Sequence, residues 1–119
     1  MSEAERDLRA RAERWIADDV DPRAQDELRA LLKSADLSKT DLADRFAGSL
    51  EFGTAGLRGI LGAGPNRMNR AVVVRTTLGL ARYLLAQLPD AKSRGVVIGY
   101  DGRHLSRKVA DEVRSRPAV

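Results

Sequence analysis

Gly95-Val96-Val97-Ile98-Gly99-Tyr100 is a short, continuous apolar run bounded by glycine and followed by Asp101. That pattern predicts a strand buried on both faces of a parallel sheet. Upstream, Arg70 to Leu88 carries two adjacent apolar stripes at helical spacing. Val73, Thr77, Leu80, Leu84 and Leu88 form one, and Val74, Leu78, Ala81 and Leu85 the other. Two stripes predict a helix buried over a wide face, as in helix-on-sheet packing. Asn69 is placed to cap this helix and Pro89-Asp90 to stop it. Phe52 to Leu61 reads as a strand whose glycines bend it or bring it near a ligand, and residues 62–66 read as a loop. Strand, helix, strand makes one right-handed βαβ unit. A last helix is predicted from Ser106 through Val113.

The front of the chain is helical by pattern. Leu8, Ala12, Trp15 and Ile16 fall at helical spacing over residues 3–18. Asp21-Pro22 supplies an N-cap and a first-turn proline for a second helix over 22–34, with Leu28, Leu31 and Leu32 inward. Ser38-Lys39-Thr40-Asp41 resembles a capping box opening a short third helix, with Leu42 and Phe46 on its apolar side and Gly48 at its end. The expected architecture is α/β: a helical lead-in (1–50) followed by an incomplete three-layer α/β/α domain (51–119) with a mixed, mainly parallel sheet, packed as one unit.

Composition narrows the function. The chain has 119 residues, 43% of them hydrophobic, which suits one packed domain. It has no cysteine and a single histidine, His104, which excludes disulfides, thiolate metal sites and His-rich metal centres. The first ten residues are charged and no apolar run spans a bilayer, so a cytoplasmic protein is expected. The net charge of +4 is unevenly spread. Residues 1–50 hold 9 Lys/Arg against 12 Asp/Glu, whereas residues 51–119 hold 12 against 5. The basic half fits an anionic small molecule as partner. It also fits an ordinary solvated surface. A nucleic acid is a poorer match, because aromatics make up only 4% and none interleaves with a basic cluster.

The basic half opens with Phe52-Gly53-Thr54-Ala55-Gly56-Leu57-Arg58-Gly59. Glycines let a backbone approach an anion closely, Thr54 offers a short donor and Arg58 a planar fork. Alone, the stretch equally fits a glycine-rich turn with one surface arginine. It is neither a Walker A loop nor a dinucleotide-binding fingerprint. Gly99-Tyr100-Asp101-Gly102-Arg103-His104 lies at the carboxyl end of the expected buried strand, where open α/β sheets bind ligands. Asp101 and Arg103 there are either site residues or a structural pair. His104 reads as a solvated or locally bonded side chain, and Trp15 and Tyr83 as packing residues.

In this order, Phe52 to Gly59, Gly64-Pro65-Asn66-Arg67-Met68-Asn69 before a long helix, and Val97-Ile98-Gly99-Tyr100-Asp101-Gly102-Arg103 resemble the first domain of the α-D-phosphohexomutases, the phosphoglucomutase and phosphomannomutase enzymes. Trp15-Ile16-Ala17-Asp18, Asp41 to Phe46 and Leu50-Glu51-Phe52 resemble the longer phosphoglucomutase/phosphopentomutase branch. The resemblance runs from about residue 14 to 113. It implies a phosphotransferase that moves phosphate between C1 and C6 oxygens through a phosphoserine and a bisphosphorylated sugar, with Mg²⁺ offsetting charge. It implies that Arg58 and Thr54 lie at the substrate phosphate, joined by Arg103, with Gly53, Gly56, Gly59 and Asp101 structural nearby. The implied partner is glucose or mannose phosphate.

The same resemblance implies what this chain lacks. The family's Ser-His-Asn-Pro-type loop does not occur in the sequence. Ser106 follows the Asp-Gly-Arg turn and is not that serine. The Asp-rich magnesium loop and the sugar-recognition loops belong to later domains, so no metal ligand and no catalytic residue is expected here. The expectation is an N-terminal fragment, inactive alone, with apolar surface left exposed in its strand-bearing half. A non-catalytic module binding sugar phosphate or nucleic acid is the alternative, and a structural domain docking onto a separate remainder is a third.

Overall fold

The computed structural model describes residues 2–54, 56–99 and 106–114. They fall into two compact units, Met1–Val72 and Val73–Val119.

The first unit begins with α1 (Glu3–Asp18), capped by Ser2, whose hydroxyl accepts from Glu5 N at 3.1 Å. Leu8, Ala12 and Ile16 recur every fourth residue and are buried as one stripe. Asp19 ends α1 as a buried carboxylate that accepts from Trp15 Nε1 (3.2 Å) and Asp21 N (2.9 Å). Asp21 then caps α2 (Pro22–Leu32) by accepting from Arg23 N at 3.0 Å, with Pro22 in the first turn. Gln25 reaches back and donates to Ile16 O (2.7 Å) and Asp19 O (3.1 Å). One side chain thereby satisfies carbonyls that the end of α1 would leave open.

The capping box expected at Ser38 does not form. Asp36, two residues earlier, accepts from both Ser38 N (3.0 Å) and Ser38 Oγ (2.6 Å) and starts a 3₁₀ turn over Leu37–Lys39. An ionised carboxylate is the stronger acceptor, and it takes the serine out of competition. Thr40 instead bridges to the next helix, accepting from Leu42 N at 3.2 Å. That helix, α3 (Leu42–Arg45), buries Leu42 completely and is followed by Phe46, whose ring meets Trp15 edge-on at 6.4 Å. Gly48 lies past this end and is not among the glycines with positive φ. Leu8, Ala12, Ile16, Ala24, Leu28, Leu37, Leu42, Phe46 and Ala63 form the core, with Trp15, Leu31 and Leu32 packed against it.

The single strand expected over 52–61 is a hairpin. β1 (Phe52–Gly53) pairs antiparallel with β2 (Gly56–Leu57), in the register Phe52 to Leu57 and Gly53 to Gly56. Leu61 then forms an isolated parallel bridge with Met68. Asn69 caps α4 (Arg70–Gln87) as its side chain predicts, accepting from Val72 N at 2.9 Å. Its amide nitrogen also donates to Gly62 O (2.8 Å) and Gly64 O (2.7 Å). Asn69→Ala removes the cap and these donors together. A loss of about 1–2 kcal/mol is expected in urea unfolding. A change below a few tenths would mean that the cap carries no load.

In the second unit α4 continues, followed by α5 (Ala91–Arg94), which ends at Gly95 with φ +68°, and by α6 (Ser106–Arg114). Residues 95–99 form no strand, so the mainly parallel sheet expected is not seen among the described residues. The only sheet among the described residues is the antiparallel hairpin. Val97 is fully exposed and Val96 is 71% exposed. A buried parallel strand needs a hydrogen-bonded neighbour on each side, and no described segment pairs with this one. The wide face of α4 is correspondingly open at its far end. Val73 and Val74 are buried, whereas Leu80 and Tyr83 are exposed.

Candidate functional site

The glycine-rich hairpin separates the duties of its three glycines. Gly56 takes φ +96° where the chain returns from the turn, a conformation that side-chain-bearing residues rarely adopt. At Gly59 a Cβ would lie 2.6 Å from Leu50 Cδ2, so any side chain there would require Leu50 to move. Gly53 does neither, and a Cβ there would meet only Gly56 O at 3.8 Å. Thr54 and Arg58 are both exposed on this hairpin. Among the described residues neither makes a side-chain hydrogen bond, and Arg58 makes no ion pair. A guanidinium left without a carboxylate beside a close backbone turn can receive an anion.

Other arginines of the first unit are committed differently. Arg67 is buried and pairs with Asp44 at 2.7 Å, with Asp41 at 3.7 Å, and donates to Asn66 O at 3.0 Å. Arg45 pairs with Glu27 and with Asp41 (2.9 Å) and donates to Ala63 O at 3.2 Å. Glu27 also accepts from Ala63 N at 2.6 Å. These side chains fasten the loop 62–68 to α2 and α3. Asn66 adds two bonds, N to Arg45 O (3.0 Å) and Nδ2 to Asp44 O (2.9 Å). The loop in turn holds the residues that follow Arg58. Met68 N donates to Ile60 O at 2.8 Å and Gly62 N to Met68 O at 3.2 Å.

The network shifts its own titration. The hydrogen bond from Arg45 holds the Asp41 carboxyl below its usual value of 3.8, with burial opposing and the charges of Arg45 and Arg67 assisting. For Arg45, burial works against the charge, but the hydrogen bonds it donates to Asp41 and Glu27 outweigh burial and its pKa rises. Asp41 therefore contributes stability fully above its unfolded pKa and loses it as pH falls through the lower folded value. As pH falls through and below the usual carboxylate value of 3.8, unfolding midpoints should drop more steeply in the natural chain than in Asp41→Asn. Parallel acid limbs in the two proteins would contradict this.

Thus Gly53, Thr54, Gly56, Arg58 and Gly59 come together on one hairpin. Asp101, Arg103 and His104 lie outside the described residues. The roles of Glu27, Asp41, Arg45 and Arg67 were not expected. Asp41 and Arg45 at i,i+4 carried a local signal, but nothing local ties Glu27 to residue 63. No set of three His, Asp or Glu side chains gathers as a metal site among the described residues. No helix among them is long and apolar enough to cross a membrane.

The hairpin and the asparagine-capped start of α4 both lie within a segment that matches a known family. Residues 49–115 match the model described as phosphoglucomutase/phosphomannomutase, alpha/beta/alpha domain I. The chain belongs to this family. It is similar to the phosphopentomutase of Mus musculus, 42% identical over 75% of this chain and 14% of the relative. The phosphoribomutase of Saccharomyces cerevisiae is 38% identical over 87% of this chain and 16% of the relative. The glucose 1,6-bisphosphate synthase of Mus musculus is 37% identical over 75% of this chain and 14% of the relative. The chain thus spans only about one seventh of the length of these relatives. No solved structure matches it significantly.

Proposed function

We propose that this chain forms the first part of a phosphosugar mutase and supplies one phosphate-binding wall of its cleft. The observation that carries the reading is Arg58, exposed and unpaired among the described residues, on a hairpin shaped by Gly56 and Gly59. Phosphoryl transfer consists mostly of positioning and charge stabilisation, so a fork-shaped cation beside backbone amides suits it. Thr54 adds a hydroxyl on the same hairpin, and Arg103 is assigned to the same phosphate. Gly53, Gly56, Gly59 and Asp101 shape the surroundings.

The substrate class is an aldose phosphate. Glucose and mannose phosphates fit the family description, and the names of the relatives add pentose phosphates and a glucose bisphosphate. The reaction is phosphotransfer between C1 and the terminal oxygen of the sugar through a phosphoserine. The chain contains no Ser-His-Asn-Pro run, so it holds no phosphoryl donor of that kind. Mg²⁺, held by residues outside this chain, would offset charge on the transferring group. The setting is the cytoplasm.

Residues 95–99 belong in this reading to a strand of the α/β/α sheet that pairs only with further strands. The exposure of Val96 and Val97 supports this. The strand-bearing half should bind a hydrophobic dye and lose its structure without a sharp transition, separate from the cooperative unfolding of the helical core; a single sharp melt of the whole chain without dye binding would contradict it. The activity is tested by incubating the chain with glucose 1-phosphate or ribose 1-phosphate, Mg²⁺ and a bisphosphate activator. No turnover is expected, and robust turnover by this chain alone would refute the assignment of chemistry to residues elsewhere.

A further inference from the structure

We infer that Glu27 and Arg45 are positioning residues for Arg58, acting through a clamp on the single residue Ala63. The inference rests on the phosphate-wall reading and adds to it a role for the helical lead-in.

Ala63 is 2% exposed, and both of its backbone groups are taken by one ion pair. Its N–H donates to Glu27 Oε2 at 2.6 Å and its carbonyl accepts from Arg45 at 3.2 Å. Glu27 and Arg45 pair with each other, and Asp41 holds the other edge of the guanidinium at 2.9 Å. The flanking Gly62 and Gly64 (φ +109°) bring no side chain of their own. Asn69 Nδ2 donates to both of their carbonyls, and the Glu27–Arg45 pair holds the residue between them. A Cβ on Gly64 would stand 3.1 Å from Arg45 Cβ, so the loop backbone lies directly on this side chain.

The clamp transmits to the hairpin through a short path. Met68 N donates to Ile60 O, Leu50 N donates to Pro65 O (3.3 Å), and Leu50 fills the space beside Gly59. Residues 59–61 are thereby seated on the loop that Glu27 and Arg45 hold. Arg58 is the next residue and has no side-chain contact of its own to fix it. Its position is set by the backbone that follows. An ion pair at a surface contributes little to stability on its own. Here the side chain of Arg45 is only 14% exposed, and the pair binds backbone at a distance of 18 and 36 residues in sequence.

The test compares the full chain with Arg45→Met, Glu27→Gln and Arg45→Lys, and with Arg29→Ala as a control. Arg29 pairs with Asp26 at the surface and makes no bond to the loop among the described residues, so its removal costs a charge and a surface ion pair without touching the clamp. Two quantities are read: amide exchange at Ala63 and Met68, and affinity for glucose 6-phosphate under conditions where helical circular dichroism is unchanged. Exchange at both amides should accelerate in Arg45→Met and Glu27→Gln, and affinity should fall about tenfold. Arg45→Lys should recover part of each, and Arg29→Ala should move neither. If Arg45→Met does not fold, Glu27→Gln, altered at a half-exposed side chain, decides the matter. Unchanged exchange, or unchanged affinity with faster exchange, overturns the positioning role while leaving the phosphate wall intact. No binding by the unaltered chain overturns the phosphate wall and the positioning role with it.

Discussion

Leu28→Ala is expected to lower the stability of the first unit by about 3 kcal/mol, and Leu42→Ala by a similar amount. Both side chains are completely buried, and they are the largest so enclosed. They belong to different helices, α2 and α3, yet to one core with Ala12 and Ile16 of α1. Truncation removes the transfer free energy of three carbon atoms and leaves a cavity that close-packed neighbours fill only in part. A unit of about 70 residues has little stability to spare, so a loss of this size should leave much of it unfolded at physiological temperature. Urea titration followed by Trp15 fluorescence reads the effect, because Trp15 packs against the same core. Leu80→Ala, at a side chain 54% exposed, should cost no more than about 0.5 kcal/mol. Equal losses at Leu28 and Leu80 would mean that the core lies elsewhere.

The second large effect is on binding. Arg58→Ala should weaken glucose 6-phosphate binding by about tenfold to a hundredfold, the equivalent of the roughly 1.5–3 kcal/mol carried by charged hydrogen bonds. The melting profile should not move, since Arg58 makes no side-chain bond among the described residues. Arg58→Lys keeps the charge but loses the fork, and should fall between the two. Calorimetry at low and moderate salt separates these contributions. Equal affinity in the alanine variant would place the phosphate on another group.

Which features were legible follows from how far apart the partners are. Asp21 with Pro22, the Leu8–Ala12–Ile16 stripe and Asn69 ahead of Val72 are local signals, and each forms as read. The start of α3 was misread because Asp36 competes for Ser38 from two residues away. The same kind of signal, Ser2 followed by Glu5, caps α1 and went unnoticed among the charges. The hairpin differs from the single strand expected because Gly56 reverses direction with positive φ, and glycine at that position fits a bend and a turn equally well. Val96 to Ile98 have the composition of a buried strand, but composition does not supply neighbours, and strand pairing is a non-local event. Of the candidate site, Thr54 and Arg58 were readable only as candidates from residue type, and both lie exposed on the hairpin. The clamp of Glu27 and Arg45 on Ala63 was not readable, because it joins residues distant in sequence.

The central claim is that the Gly53–Gly59 hairpin receives a sugar phosphate. Amide chemical-shift mapping of the full chain during titration with glucose 6-phosphate, and with unphosphorylated glucose for comparison, tests it most directly. The account predicts saturable shifts confined to residues 53–61 and their contacts in the 62–68 loop, given by the phosphate ester alone and abolished by Arg58→Ala. Shifts that are absent, that appear equally with glucose, or that cluster on the helical lead-in away from this loop would contradict it.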